Sequence, residues 1–237
     1  MGMIIFVTMS YFAHTELAGR ILYEDNHLIV INKLAGEIVQ GDKTGDQPLC
    51  DTIKAFLKER EEKPGNVFVG VPHRLDRPVS GICLFAKTSK ALERMNRMFH
   101  DGGVRKTYLA LVEKPPLQHS AMLIHYITRN EQQNRSYAWN APRENAKEAK
   151  LRYRYLKSTH KFHLLEIELL TGRHHQIRCQ LSAIGCPIKG DLKYGARRSN
   201  PDGGISLHAY RLEFIHPVRR EPVLITAPWH SWITDSL

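Results

Sequence analysis

Three short stretches hold residue types suited to chemistry. In His73-Arg74-Leu75-Asp76-Arg77-Pro78-Val79-Ser80-Gly81 an aspartate is flanked by two arginines. Nearby positive charge favours the ionised carboxylate, which can act as nucleophile or general base. Pro78 and Gly81 would fix the loop and hold that carboxylate in one orientation. The same residues also fit an Arg–Asp pair that only buttresses a turn. In Thr171-Gly172-Arg173-His174-His175-Gln176-Ile177-Arg178, a helix beginning near Gly172 would offer its first free amides to an anion. His175 and Arg178 are three apart and would share a face. Arg178, at the edge of the apolar stripe, could reach toward a cleft. Lys106-Thr107-Tyr108 forms the third stretch. An aromatic ring beside a carboxylate could stack on a nucleobase; a tyrosine opening a strand also fits a plain core position.

Other chemistries lack their signatures. HEXXH is absent, and adjacent His174 and His175 have no further ligand at metal-binding spacing. There is no GxSxG elbow for Ser-His-Asp catalysis, and no Walker A or GxGxxG phosphate loop. Cys50, Cys83, Cys179 and Cys186 form no CxxC pair and read as packed, reduced thiols of a cytoplasmic protein. The apolar run Met3–Val7 lacks a basic flank and is too short to span a bilayer. No membrane partner is expected.

The elements that must position these residues follow from periodicity. Ile21–Asn32 reads as a strand, or a strand pair turning at Asp25-Asn26. Leu49–Leu57 has helical spacing, as does Ala91–Phe99, which is bounded by Ser89 and Gly102-Gly103. His174–Ile184 reads as a third helix. Val67–Val71, Gly81–Phe85, Thr107–Val112, Leu151–Leu156, Phe162–Leu170, Leu207–Phe214 and Val223–Ala227 read as strands. Tyr153 and Tyr155 alternate with Arg152 and Arg154, the pattern of a sheet with one wet face. Strands outnumber helices without regular alternation. The expected class is therefore α+β, with a mixed, mostly antiparallel sheet and flanking helices.

Charge points to the partner. Among 237 residues, 34 Lys and Arg face 24 Asp and Glu, a formal net charge of +10. Residues 147–198 hold 12 basic against 4 acidic side chains. Such a domain suits a polyanion, RNA or DNA, unless the charge is simply a solvated surface.

Taken together and in this order, the three stretches resemble the RluA family of RNA pseudouridine synthases. His73-Arg74-Leu75-Asp76 with Ser80-Gly81 resembles the family's HRLDxxTSG signature, Lys106-Thr107-Tyr108 its KxY motif, and Gly172–Arg178 its GRxHQIR motif. Supporting matches lie at Tyr23-Glu24-Asp25, Lys33 with Ala35-Gly36, Pro187-Ile188 with Gly190-Asp191, and Leu207-His208-Ala209 with His216-Pro217. The resemblance implies isomerisation of uridine to pseudouridine in rRNA or tRNA without metal or organic cofactor. Asp76 would be the nucleophile, at ribose C1′ or uracil C6. Tyr108 would stack on the target base and assist at the C5 proton, and Arg178 would pair with Asp76. Arg74 would fill the space left by the flipped uridine. His73, Arg173 and Gln176 would contact substrate, and the basic 147–198 stretch would hold phosphates.

The resemblance further implies a synthase catalytic domain over residues 21–237, after an extension over 1–20 too short for a leading S4 domain. No obligate protein partner is evident, and a monomer is expected. Departures from the pattern (Lys33-Leu34, Pro78-Val79, Gln180, Cys186) touch no residue with an assigned chemical role. A different class, a non-catalytic RNA-binding or RNA-folding protein, shares every feature except the need for Asp76. A glycosidase-like hydrolase would need a second carboxylate, for which Glu93 and Asp101 are nearest downstream.

Overall fold

The computed structural model describes residues 16–228 apart from 43 and 160, so the expectations for Met1–Ala13 and its run Met3–Val7 lie outside the described residues. The strands are β1 (Ile21–Glu24), β2 (Leu28–Lys33), β3 (Ser80–Ala86), β4 (Val104–Val112), β5 (Ser120–Asn130), β6 (Arg135–Trp139), β7 (Lys147–Ser158), β8 (His163–Leu169), β9 (Leu207–Ile215) and β10 (Pro222–Thr226). They form one sheet in the order β1-β2-β3-β9-β4-β8-β7-β5-β6, with β10 also against β9. Among the described residues, only β3 with β9 is parallel. With helices α1 (Leu49–Arg60), α2 (Ser89–His100) and α3 (Gln176–Ala183), this is the mixed, mostly antiparallel α+β class that the sequence indicates.

Local chemistry explains the element ends. Asp25 makes the β1–β2 turn by accepting the amide hydrogens of His27 at 2.7 Å and Leu28 at 2.8 Å. Thr88 Oγ1 caps α2 by accepting the Ala91 amide at 3.2 Å, so the cap falls one residue before Ser89. Ile29, Ile31, Leu84 and Phe85 are fully buried where β2 and β3 pair at the centre of the core. Burying each such side chain contributes roughly 1.5–3 kcal/mol.

Three expectations need correction. Val67–Val71 is no strand; only Gly70 forms a bridge, with Ala86. The reason lies in β3, which meets β9 only at Ser80 and Gly81, opposite His208 and Ala209. The edge left open takes single contacts instead: Gly70 pairs with Ala86, and Leu84 N–H donates to His73 Nε2 at 2.9 Å. Gly81 makes the short pairing possible, because its φ is +107° and an added Cβ would lie 2.3 Å from the Ala209 carbonyl oxygen. Second, β5 and β6 form a hairpin that periodicity leaves unread. Ala121 and Leu123 alternate with Met122 and Ile124, so both faces of β5 carry apolar residues and the period-2 contrast is lost. Third, α3 starts at Gln176 rather than near Gly172 or His174, after His175 in the left-handed region at φ 51°.

Candidate active site

The loop 71–79, β4 and the segment leading into α3 enclose an open cleft of about 800 Å³. Asp76, Tyr108 and Arg178, which lie far apart in sequence, all line it, as do His73, Arg74, Arg173 and Gln176.

The Asp76 loop is fastened from below by Lys33, the last residue of β2. Its side chain is fully buried, and Nζ donates to the carbonyls of Leu34 (2.9 Å), Arg77 (3.1 Å) and Val79 (2.7 Å). The Ile205 amide adds a bond to the Pro78 carbonyl at 3.0 Å. Burial lowers the Lys33 ammonium to about 8. The unfolded chain therefore holds the proton more tightly, and wild-type stability should rise relative to Lys33→Met between about pH 8 and 10.5. Urea unfolding of both proteins at pH 7.5 and 10 checks this; parallel curves would contradict it.

Arg178 supplies the cation at Asp76. Its Nη1 donates to Asp76 Oδ2 at 3.1 Å, while Nε and Nη2 grip the Asp191 carboxylate at 2.7 and 2.9 Å. The flanking arginines do not play that part: Arg77 pairs with Asp46 at 2.7 Å, and Arg74 is exposed in the cleft. Burial works against the Arg178 charge, but the bond and charge of Asp191, then of Asp76, outweigh it and raise the guanidinium above its usual range. The cleft thus holds a buried carboxylate–guanidinium–carboxylate chain, with Asp191 only 1% exposed and Asp76 at the cleft surface.

Tyr108 sits in β4 beside a bulge at Thr107/Tyr108. Its side chain is buried, and its hydroxyl has no hydrogen-bond partner among the described residues. Burial first, then the Asp76 charge, pushes the phenol above its usual range, so it stays protonated at working pH. His73 is committed to the fold. Its Nε2 takes the Leu84 amide, its ring stacks on Phe99 at 4.6 Å, and burial and then Lys106 lower it to about 3. Gln176 is likewise occupied: Oε1 accepts from Thr171 Oγ1 (2.8 Å) and the Arg173 amide (3.0 Å), and Nε2 donates to the Lys150 carbonyl (3.0 Å). With the Arg173 amide used and the helix starting later, the expected anion site at Gly172 is not formed. The exposed Arg173 holds the Glu148 carbonyl through Nε at 2.9 Å.

The basic stretch is also less free than its count indicates. Arg152 pairs with Glu168, Arg154 with Glu166, and Lys150 with Glu148. Conversely, the sequence assigns no role to Lys33, Lys106, Asp191 or Tyr194. Asp191 stands in the sequence as part of the Gly190-Asp191 match and as the sole aspartate within residues 147–198, with no partner indicated.

Comparison with known proteins places the chain in a family. Residues 27–183, which include Asp76, Tyr108 and Arg178, match the RNA pseudouridylate synthase family. The chain is 32% identical over 219 residues to the ribosomal large subunit pseudouridine synthase C of Vibrio vulnificus (strain CMCP6), covering 90% of this chain and 66% of that protein. It is 35% identical over 224 residues to the ribosomal large subunit pseudouridine synthase D of Xylella fastidiosa (strain Temecula1), covering 88% and 65%. The chain therefore spans about two thirds of the length of these curated relatives. Among solved structures, human RNA pseudouridylate synthase domain containing 4 shares the fold, with TM-score 0.79 over 98% of this chain and 96% of that one at 22% identity. Human RNA pseudouridylate synthase domain containing 1 superposes with TM-score 0.68 at 26% identity, covering 88% of this chain and 82% of that one. The chain belongs to the RluA family of RNA pseudouridine synthases.

Proposed function

We propose that this chain converts uridine to pseudouridine within RNA, with large-subunit ribosomal RNA as substrate and Asp76 as nucleophile. The observation that carries the reading is the Asp76 carboxylate at the cleft surface, held at 3.1 Å by a guanidinium that Asp191 fixes from behind. The relatives' names supply the choice of RNA. The unit that acts is the domain from residue 21 onward, as a cytoplasmic monomer needing no metal or organic cofactor.

In this reading the target uridine leaves its stack, because C1′ and C5 are poorly accessible within a helix. Arg74, exposed at the cleft rim, fills the space it vacates. Asp76 attacks ribose C1′ or uracil C6, the N1–C1′ bond breaks, and the detached uracil turns within the cleft. C5 then bonds to C1′, the bond that Asp76 formed breaks and frees its carboxylate, the C5 proton leaves, and N1 regains a proton. Tyr108 offers its ring face to the base. As a neutral phenol it can accept the C5 proton only by passing its own onward.

A purely RNA-binding role would leave the acceptor-only Asp76 carboxylate, held at the cleft surface by Arg178, without a use. A glycosidase would need a second carboxylate at the cleft. Glu93 and Asp101 are exposed on and just after α2, and cleft-lining Glu168 is held by Arg105 and Arg152 at 2.9 Å each.

Lys106 lines the cleft with no hydrogen-bond acceptor or carboxylate partner among the described residues, and burial lowers its ammonium below the usual range. An RNA phosphate would supply the missing anion. Lys106→Met should raise KM with little change in kcat and reduce the slope of log affinity against log salt by roughly 0.7–0.9. Binding titrations across a salt series decide this, and an unchanged slope would remove Lys106 from the RNA contact.

The direct biological test is site-resolved pseudouridine mapping of ribosomal and transfer RNA from cells lacking the protein, restored with wild type or Asp76→Asn. Sites lost and restored only by wild type would support the function and name the substrate. Full restoration by Asp76→Asn would refute Asp76 catalysis.

A further inference from the structure

His175 has no assigned task, yet its Nε2 lies 3.6 Å from the same Asp76 Oδ2 that Arg178 holds. Its other nitrogen is fixed from elsewhere. A 3-10 turn at Leu192–Tyr194 brings the Tyr194 hydroxyl within 2.8 Å of His175 Nδ1. The Ser136 amide donates to that hydroxyl at 2.8 Å, so the oxygen accepts there and its own hydrogen is available to Nδ1. The opposite arrangement would leave the Tyr194 hydrogen without an acceptor and aim an Nε2 lone pair at a carboxylate. Both side chains are buried, at 8% and 2% exposed.

We infer that His175 is a positioning residue for Asp76, held by Tyr194 in the tautomer whose Nε2 carries the hydrogen. Burial first, then the Arg178 charge, lowers the imidazole to about 2, so it faces Asp76 as a neutral donor rather than a salt-bridge cation. At 3.6 Å the contact is longer than a hydrogen bond and acts through the N–H dipole. Its neighbour His174 stacks on it at 3.7 Å and is tied to Ser136 Oγ at 2.8 Å and Asn134 Oδ1 at 3.1 Å, which limits ring rotation. With Arg178 and His175 both directed at Oδ2, Oδ1 is the oxygen left to meet the substrate. One short turn therefore sets both donors, Asp191 through Arg178 and Tyr194 through His175.

This rests on Asp76 being the nucleophile, so the test separates the two. Histidine ¹⁵N NMR on the full chain reads the tautomer without any turnover, and pseudouridine formation by wild type is measured on the same sample. The expected wild-type signal is a single neutral tautomer with hydrogen on Nε2. Tyr194→Phe keeps the ring and should yield a mixture, lowering kcat about tenfold with KM and RNA affinity nearly unchanged. In a His175→Asn background, whose side chain tolerates the left-handed backbone, Tyr194→Phe should cost no further activity. Hydrogen on Nδ1 in wild type overturns the inference even if Tyr194→Phe fails to fold, and so does an equal loss in both backgrounds. Absence of product from wild type overturns the nucleophile reading instead.

Discussion

Asp76→Asn is expected to lower pseudouridine formation by about 10⁴-fold or more, while RNA affinity stays within a few-fold of wild type. The magnitude is that of removing a nucleophile whose partners remain in place. Asparagine has nearly the same shape, but its amide cannot displace N1 from C1′ or add to C6. The loop should keep its course, since Lys33 holds the Arg77 and Val79 carbonyls just after Asp76 and His73 anchors the residues before it to β3. Arg178 retains its bidentate grip on Asp191. Single-turnover assays at saturating enzyme, with equilibrium binding on the same RNA, separate the two effects. Equal losses in turnover and affinity would make Asp76 an RNA contact rather than the reacting group.

The second large effect lies behind the cleft. Asp191→Ala should destabilise the fold by about 3–5 kcal/mol, because it leaves a guanidinium buried without its bidentate partner. Arg178→Ala should be comparably harmful, since it strands an Asp191 carboxylate that is 1% exposed. It should also lower turnover far more than RNA affinity, because Asp76 loses the donor at 3.1 Å. Removing both groups ends the mismatch, so the double variant should be less destabilised than the sum of the singles. Urea denaturation of the four proteins gives the coupling. Strict additivity would mean that the Arg178–Asp191 pair carries none of the local stability.

How much of this was readable in advance depended on what each residue needs in order to be seen. Strands such as Leu28–Lys33 and Ser80–Ala86 announce themselves through short continuous apolar runs. The β5–β6 hairpin did not, because its exposed face carries Met122 and Ile124. The placement of Asp76, Tyr108 and Arg178 on one cleft agrees with the expectation drawn from their motifs. Arg74 and Arg77, close in sequence, are the charge partners that local reading offers, whereas Arg178, one hundred and two positions away, takes that place, as the motif resemblance implies. Local sequence shows which charges are near along the chain, whereas the tertiary fold decides which are near in space. Lys33 and Gln176 show the same limit. Lys33 carries no role in the sequence reading and Gln176 is implied by the resemblance as a substrate contact, yet both are buried and bonded to backbone. His175 reads as an ordinary histidine until the Tyr194 turn is folded against it.

The most direct test uses large-subunit ribosomal RNA carrying tritium at uridine C5, incubated with the purified full chain. Isomerisation joins C5 to the sugar and expels its hydrogen, so tritium should appear in water in step with pseudouridine in digested RNA, with no free uracil and none of either with Asp76→Asn. Free uracil without tritium release, or tritium release undiminished in Asp76→Asn, would contradict an Asp76-dependent pseudouridine synthase.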